Sequence, residues 1–250
     1  MSQDMWNPSQ YNRFQFERSQ PFWDLCKLVD FAGVKRLLDV GCGTGELTAA
    51  IRERENVPYA LGVDSSEKML ADAQALASEK MVFEKHSAET YAPSERFDAV
   101  ISNAALQWVP GHRELFPRML TWLSDGGQLA VQMPCNFDHP SHVLAENLAN
   151  EYGLNVRKYP VLPIEEYAGV MVSAGGRDVR VSMNVYLHPM KSGADVVEWT
   201  KGTLLTHYQK QLTPEKYAEF LARYTAGLVN ELGSGPYLYT FKRMFIFARR

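Results

Sequence analysis

The stretch LLDVGCGTGELT, residues 37–48, constrains the fold more than any other part of this 250-residue chain. An apolar run that contains Asp39 leads into three glycines at alternate positions, Gly41, Gly43 and Gly45, and then into a helical pattern. Glycine tolerates positive φ and lets a ligand approach the backbone closely. A strand that passes through a glycine-rich turn into a helix is typical of doubly wound sheets, which bind nucleotide-like ligands at this turn.

The rest of the chain continues the alternation. Five apolar runs, separated by helical patterns, predict strands at residues 34–41, 59–66, 80–86, 96–104 and 128–134. Such an alternation predicts a parallel sheet with right-handed crossovers. Beyond it, residues 178–188 and 238–250 predict two more strands, with helices predicted at 139–153, 164–176, 193–207 and 214–232. We therefore expect an α/β fold with a doubly wound, seven-stranded, mostly parallel sheet and helices inserted before the last strand.

Two helix boundaries are predicted from local signals. An amphipathic pattern at the start of the chain predicts a helix that continues to Phe31 and ends at Gly33. The helix after the second strand should begin at Ser65 or Ser66, because serine side chains cap helix N-termini.

The identity of the ligand can be narrowed by excluding two common kinds of nucleotide site. Asp64 ends the second strand, 19 residues past Gly45, and suits a carboxylate that binds ribose hydroxyls. A dinucleotide fingerprint would need glycine three residues after Gly43, where this chain has Glu46, whose charge would repel a pyrophosphate. No Gly-Lys-Ser/Thr follows, so a P-loop is also excluded. These residues predict a phosphate-free adenosyl ligand, S-adenosyl-methionine, whose ammonium could bond to Asp39.

The segments LLDVGCGTG, GVDSSEKML and FDAVISNAALQWV resemble three motifs of the seven-stranded, Rossmann-like S-adenosyl-methionine-dependent methyltransferases, over residues 34–134. WNPSQYNRF, ALQWVPGHRELFPRML and MFIFARR are similar to the trans-aconitate methyltransferases, which esterify a small polycarboxylate; this likeness is weaker over 155–235. The resemblance implies an N-terminal helical lid (1–32), a cofactor-binding Rossmann-like core (33–188 and 238–250) and a helical cap over the acceptor site (189–237).

The resemblance also implies a set of cofactor-binding residues. Asp64 would bind both ribose hydroxyls, Met69 would pack on the adenine or belong to the core, and Arg18 would neutralise the methionine carboxylate or face water. Many family members carry Asp where this chain has His86, so either this imidazole or the backbone after it would contact the adenine amino group. The full set is Arg18, Asp39, Gly41, Gly43, Asp64, Ser65, Met69, His86, Ser87, Ala88 and Asn103.

The expected reaction needs little from the protein beyond alignment and exclusion of water. A carboxylate nucleophile, with a pKa of about 4, is ionised at pH 7 and requires no general base. We therefore predict SN2 methyl transfer to a carboxylate of a small polycarboxylic acid, held by cationic or hydroxyl side chains. Candidates from the sequence are Tyr11, Trp108, His139, Tyr167, Lys201, Thr206, His207, Arg223 and Tyr239.

Some alternatives stay open at this stage. Trp108 either lines the acceptor pocket or anchors the core, with the core favoured. Arg223-Tyr224 matches an Arg-Tyr pair of the family. The Arg that the family's cap carries near Thr206, however, is missing from this chain. Other acceptors therefore stay possible: a carrier-protein-linked malonyl ester, a fatty or terpenoid acid, or an amine. A non-catalytic cofactor-binding module is a further alternative.

Composition restricts the partners. A net charge of −3 gives no general attraction to nucleic acid or to anionic membranes. The N-terminus lacks a signal-peptide layout, and the three cysteines and six histidines show no metal-site or disulfide spacing. We expect a cytoplasmic monomer or weak dimer that acts on a small-molecule carboxylate, with no metal ion, no nucleic-acid partner and no membrane association.

Overall fold

The computed structural model describes residues 15–250, with side chains from residue 19 onward. A seven-stranded sheet has the strand order β3-β2-β1-β4-β5-β7-β6. Its strands are β1 (Arg36–Val40), β2 (Tyr59–Asp64), β3 (Met81–Lys85), β4 (Phe97–Asn103), β5 (Leu123–Pro134), β6 (Arg177–Met190) and β7 (Tyr237–Arg249). Strands β1 to β5 are parallel and β7 is antiparallel to β5, which confirms the predicted doubly wound sheet.

Helices follow most of the strands. They are α1 (Gln15–Cys26), α2 (Glu46–Arg54), α3 (Glu67–Ala73), α4 (His112–Thr121), α5 (Pro140–Glu151), α6 (Ile164–Ser173), α7 (Gly193–Lys201), α8 (Thr206–Gln209) and α9 (Pro214–Leu232). Two 3-10 turns, Gln74–Leu76 and Leu106–Trp108, follow α3 and β4. As predicted, a group of helices, α7 to α9, is inserted before the last strand.

The central strands are apolar because helices cover a parallel sheet on both faces. Successive side chains of a strand point to opposite faces, yet Leu37 and Leu38 of β1 are both fully buried, as are Val100 and Ile101 of β4. Asp39, in the middle of this apolar part of β1, is charged and is also buried. This burial fixes the carboxyl ends of β1 and β4, from which the candidate site is built.

Three local predictions are refined or corrected by the structure. Helix α1 ends at Cys26, so the prediction that it continues to Phe31 is wrong. Residues 193–207 form two helices, α7 and α8, rather than one. Ser66, not Ser65, caps α3, and its Oγ accepts a hydrogen bond from the Met69 N–H at 3.3 Å.

The chain divides by contacts into two compact units. The sheet unit comprises Arg18–Pro134, Tyr159–Asn184 and Arg243–Arg250. The helical unit comprises Cys135–Lys158 and Val185–Lys242. It therefore combines α5 with the predicted cap segment. The lid and cap roles expected for residues 1–32 and 189–237 stay predictions.

The helical unit has its own apolar core. Long helix α9 buries Phe220, Tyr224 and Leu228 on one side, at positions four residues apart. These side chains belong to one cluster with residues of α5 and α7, among them Leu148 and Val196.

Candidate functional site

The glycine-rich turn between β1 and α2 has a left-handed backbone at all three of its glycines. Their φ angles are 78° at Gly41, 57° at Gly43 and 75° at Gly45, a conformation that side chains disfavour. The N–H groups of Gly41 and Cys42 donate to the Val63 carbonyl of β2, at 2.7 and 3.2 Å. These two bonds hold the start of the turn against the second strand.

The three glycines differ in what surrounds them. A Cβ at Gly41 would lie 2.1 Å from the Cβ of Ala105, and one at Gly45 would lie 2.6 Å from the ring of Phe83. A Cβ at Gly43 would meet only the end of the Met69 side chain, at 3.1 Å. Protein packing therefore requires Gly41 and Gly45, whereas Gly43 faces a flexible thioether and is the position of the turn that suits a ligand.

Asp64 connects this turn to α3. Its Oδ2 accepts from the Gly43 N–H at 2.9 Å, and its Oδ1 accepts from the Ser66 N–H at 2.8 Å. A carboxylate has about four lone-pair sites, so each oxygen retains capacity for a further donor such as a hydroxyl. Gly43, Asp64 and Met69 are thus brought together, as an adenosyl site requires, while Ser65 between them is exposed.

Asp39 lies beneath the turn and is 3 % exposed. The Thr48 hydroxyl donates to its Oδ2 at 2.5 Å. Burial raises the pKa of Asp39 to about 7; the Thr48 hydrogen bond opposes this rise, and the negative charge of Asp64 adds to it. A cationic ligand group at Asp39 would lower this pKa again, because opposite charge favours the ionised form.

The loop after β3 uses backbone more than side chain. The His86 N–H donates to the Asp64 carbonyl at 3.0 Å, but its imidazole is exposed, 3.1 Å from Glu84 Oε2 and packed on the Tyr91 ring. The Ala88 carbonyl accepts from the Arg118 guanidinium at 2.6 Å. The loop therefore adjoins Asp64 through its main chain, and Ser87 and Ala88 are half-buried beside it.

The carboxyl end of β4 carries buried polar atoms that lack hydrogen-bond partners. Ser102 is satisfied, since its hydroxyl donates to the Val40 carbonyl at 2.7 Å. The Asn103 Oδ1 and Gln107 Oε1 atoms are buried and have no hydrogen-bond partner within the described range. Gln107 cannot turn to relieve this, because its Nε2 donates to the Ala104 carbonyl at 2.7 Å. The sequence predicted a role for Asn103, whereas it placed Gln107 only at the mouth of the site, because no spacing signal distinguished Gln107 from its neighbours.

Trp108 follows at the end of this 3-10 turn and is 46 % exposed. The expectation that it anchors the core is therefore wrong. Its indole packs on the ring of Tyr159, with ring centroids 5.4 Å apart. This leaves the alternative weighed from the sequence, an aromatic wall beside the carboxyl end of β4.

Tyr167, proposed as an acceptor contact, is fully buried. Its hydroxyl lies 2.5 Å from Nδ1 of His112 and accepts from the Leu162 N–H at 3.1 Å. His112 Nε2 donates to the Leu106 carbonyl at 2.9 Å, which leaves Nδ1 as acceptor for the tyrosine hydroxyl. Burial lowers the pKa of His112, consistent with this neutral form. The pair joins α4 and α6 to the turn that carries Gln107, a role not predicted from the sequence.

His139 caps helix α5. Its Nδ1 accepts from the Ser141 N–H at 3.1 Å, so Nε2 is the protonated nitrogen that donates to the Tyr237 hydroxyl at 3.0 Å. Burial lowers its pKa to about 4. A neutral imidazole offers no positive charge to a carboxylate at pH 7.

The other acceptor candidates have partners within the helical unit. Arg223 is exposed and pairs with Glu151 at 2.5 Å, and Lys201 pairs with Glu198 at 2.5 Å. His207 Nε2 lies 2.8 Å from the Asn155 carbonyl, and the Thr206 hydroxyl donates to Thr203 at 2.7 Å. Tyr239 is fully buried, with its ring 4.7 Å from that of His139.

Two predicted site residues lie outside what the structure describes. Tyr11 precedes residue 15, and the side chain of Arg18 falls in the part of α1 for which only the backbone is described. In the described part of the chain, no three His, Cys, Asp or Glu side chains come together in a way that could hold a metal ion. None of the helices described here combines the length and apolar character needed to cross a membrane.

Comparison with known proteins adds independent information. Residues 14–180 match a family described as a methyltransferase domain. A trans-aconitate 2-methyltransferase of Deinococcus radiodurans is 37 % identical, and one of Escherichia coli O1:K1 is 36 % identical, each over 98 % of both chains.

The fold also recurs in solved structures. A phosphoethanolamine N-methyltransferase 2 from Haemonchus contortus, solved in complex with S-adenosyl-L-methionine, superposes with a TM-score of 0.59 at 18 % identity. The match covers 93 % of this chain and 52 % of that one, so the present chain spans about half of its length. At this level of identity the likeness concerns the fold alone.

Proposed function

Since this chain belongs to the methyltransferase family that residues 14–180 match, we propose that it transfers the methyl group of S-adenosyl-methionine to a carboxylate of a small polycarboxylic acid of the trans-aconitate type. The observation that carries the cofactor assignment is the meeting of Gly43, Asp64 and Met69 at one turn. Full-length relatives that bear the name trans-aconitate 2-methyltransferase support the acceptor class.

The residues of the turn fit this cofactor. Gly43 leaves room for close approach, Met69 offers a polarisable apolar surface to a purine ring, and Asp64 retains acceptor capacity for ribose hydroxyls. A phosphate would meet Glu46 at the start of α2, so a phosphate-free adenosyl group suits the turn better than a dinucleotide.

Asp39 and Asn103 fit the amino-acid end. The Asp39 carboxylate lies buried next to the turn and gains from a nearby positive charge, which an ammonium group supplies. Asn103 Oδ1 is a buried acceptor that has no donor among the described residues, and a ligand N–H would satisfy it.

When bound, the cofactor supplies a methyl group already activated by positive sulfur. The protein then has to hold an ionised carboxylate in line with that methyl group and keep water away. A carboxylate acceptor, with a pKa of about 4, needs no base at pH 7. The neutral, mutually bonded pair of His112 and Tyr167 agrees with this, because it orders the β4–α4 segment rather than removing a proton.

Closure over the acceptor is assigned to the N-terminal segment and to residues 189–237, by analogy with the family. Trp108, exposed at the end of β4, is the aromatic wall of this site. The cytoplasmic location and the monomeric or weakly dimeric state expected from composition are part of the same proposal.

The test is transfer of isotope-labelled methyl from S-adenosyl-methionine to trans-aconitate by the purified chain. We expect label in a product that mild base releases as methanol, because carboxyl methyl esters are base-labile. Absence of a labelled product from trans-aconitate, or a labelled product that is stable to base, would overturn the acceptor class. Labelling that is unaffected by excess unlabelled S-adenosyl-methionine would overturn the cofactor.

A further inference from the structure

A row of polar side chains crosses three neighbouring strands of the sheet unit at the carboxyl ends of β4 and β5. Asn103 on β4 is paired in register with Gln132 on β5, so their side chains share one face of the sheet. Gln132 is paired with Phe245 of β7, and Arg243 lies two residues from Phe245 on the same face. The Arg243 guanidinium donates to Gln132 Oε1 at 3.5 Å.

The orientation of Gln132 is fixed by this contact. Arginine only donates hydrogen bonds, so the atom of Gln132 that faces it must be the oxygen, and Nε2 is directed elsewhere. Gln132 is fully buried, and its Nε2 has no hydrogen-bond partner in the part of the chain that the structure describes. An unsatisfied buried N–H donor is costly, and its most favourable partner is an anion.

Arg243 adds a buried positive charge to this donor. Arg243 is only 9 % exposed, and arginine side chains are rarely buried to this extent. Its planar fork of N–H groups matches the two oxygens of a carboxylate. Together with Gln132 Nε2, it offers donors only, whereas Asn103 Oδ1 and Gln107 Oε1 on the neighbouring segment offer acceptors only.

The hydrogen-bond acceptors and the hydrogen-bond donors of this region suit two different ligand groups. Acceptors at the end of β4 suit the cationic cofactor, and donors on β5 and β7 suit an anion held next to it. We propose that Gln132 and Arg243 bind a carboxylate of the acceptor that is not methylated, and so select polycarboxylic acids over monocarboxylic ones. Asn103, the half-buried member of the row, lies between this site and the glycine-rich turn. The inference rests on the proposed function and names two specificity residues for it.

Binding in the presence of S-adenosyl-homocysteine tests the site without any turnover. Trans-aconitate is titrated calorimetrically into the complex of the full chain with this product, for the wild type and for Gln132→Glu and Arg243→Gln. Gln132→Glu places an internal carboxylate beside Arg243, in competition with the ligand. We expect each variant to weaken trans-aconitate binding 10- to 100-fold, while S-adenosyl-homocysteine affinity stays within twofold of wild type.

A matched control comes from the same strand. Arg249→Gln removes an equal charge from β7 at a half-buried position, where the arginine pairs with Asp178 at 3.4 Å. It should leave trans-aconitate binding unchanged. If Arg243→Gln fails to fold, Arg243→Lys keeps the charge, loses the fork and should give an intermediate affinity.

Three dicarboxylates then identify which carboxylate Gln132 and Arg243 hold. Mesaconate, glutaconate and itaconate each lack a different one of the three carboxylates of trans-aconitate. The analogue that lacks the carboxylate held by Gln132 and Arg243 should bind the wild type and both variants equally. Equal losses for trans-aconitate and all three dicarboxylates, or affinities of both variants that match Arg249→Gln, would overturn the site. Failure of the wild type to bind any of the four acids would also overturn it.

Failure of the site and failure of the proposed function give different results. The protein could form a base-labile methyl ester of trans-aconitate while Gln132→Glu and Arg243→Gln bind trans-aconitate as tightly as Arg249→Gln does. That result would support the proposed reaction and reject the proposed site. Conversely, binding of trans-aconitate that depends on Gln132 and Arg243, without methyl transfer to any polycarboxylate, would support the site and reject the reaction.

Discussion

Two regions of this protein concentrate buried polar side chains and use them differently. At the start of α5, His139 bonds to Ser141 and Tyr237, and the Tyr224 hydroxyl donates to the Ser141 carbonyl at 3.1 Å. At the carboxyl edge of the sheet, Asn103, Gln107 and Gln132 each have a buried polar atom with no hydrogen-bond partner among residues 15–250 as described. Buried polar groups are normally paired, and side chains that satisfy one another stabilise the fold. The unpaired amide atoms at the sheet edge lie close together, next to the glycine-rich turn, and therefore suit a ligand.

The comparison extends to the residues chosen from the sequence. Histidine, tyrosine and arginine are reasonable types for a carboxylate pocket, yet His139 and Tyr167 are held by neighbouring protein groups, and Arg223 pairs with Glu151 in solvent. Among the described residues, the amides of Asn103, Gln107 and Gln132 at the sheet edge have the capacity that those residues lack, and Arg243 lies buried beside Gln132. The type of a residue suggested that it could bind a carboxylate, but its hydrogen-bond partners in the folded protein decide whether it is available to do so.

The largest expected effect distinguishes packing from ligand access within the glycine-rich turn. Gly41→Ala places a Cβ against Ala105 at a residue with positive φ, and should lower the free energy of unfolding by about 3 kcal/mol. Gly43→Ala meets only the mobile end of Met69 and should cost about 1 kcal/mol, yet weaken S-adenosyl-homocysteine binding about tenfold. Chemical denaturation measures the free energy of unfolding, and calorimetry measures the affinity for S-adenosyl-homocysteine. Equal stability losses would contradict the division of roles.

Removal of the Asp64 carboxylate tests the turn next. Asp64→Ala should weaken S-adenosyl-homocysteine binding by about 2 kcal/mol, roughly 30-fold, because a charged acceptor for the ribose is lost. The change also removes the bonds to the Gly43 and Ser66 N–H groups, so Ser66→Ala, which removes the α3 cap and keeps Asp64, is the control. Similar affinities for both variants would mean that Asp64 acts only through the fold of the turn.

Asp39 should make the unliganded protein less stable as pH rises. Its folded pKa of about 7 lies above the ordinary value of 3.8, so the folded state retains the proton that the unfolded state loses. The resulting destabilisation is absent below about pH 4, grows towards pH 7 and is complete above it.

Asp39→Asn should therefore raise the free energy of unfolding by about 2 kcal/mol at pH 8, with the gain vanishing near pH 4. The same variant should weaken cofactor binding at pH 8, since the ammonium loses its counter-charge. Thermal unfolding of the unliganded protein across this pH range measures the stability difference. A gain that does not depend on pH would show that burial of the charge is not its cause.

The smallest effects sharpen the comparison in the helical unit. Tyr224→Phe removes a buried hydroxyl that reaches the Ser141 carbonyl and the Thr200 hydroxyl, and should cost about 1 kcal/mol of stability. Arg223→Ala, one residue earlier, breaks an exposed ion pair and should change the stability less than Tyr224→Phe does. Neither change should alter the affinity for trans-aconitate. A loss of that affinity in Arg223→Ala would return Arg223 to the acceptor site.

Much of the architecture follows from the sequence alone. The strand-glycine-helix stretch at residues 37–48, and the apolar runs after it, fixed five parallel strands and the position of the turn, because periodicity and glycine conformation are local properties. The acid at the end of β2 could likewise be located by spacing, and the structure brings Asp64 to Gly43.

Only the tertiary structure decided which polar side chains remain incomplete. Gln132 and Arg243 are 111 residues apart, on strands that meet only because β7 inserts antiparallel beside β5. The same packing enclosed His112 with Tyr167 and left Trp108 exposed. A hydrogen bond depends on distance and direction between residues that are remote in sequence, and no local pattern encodes either.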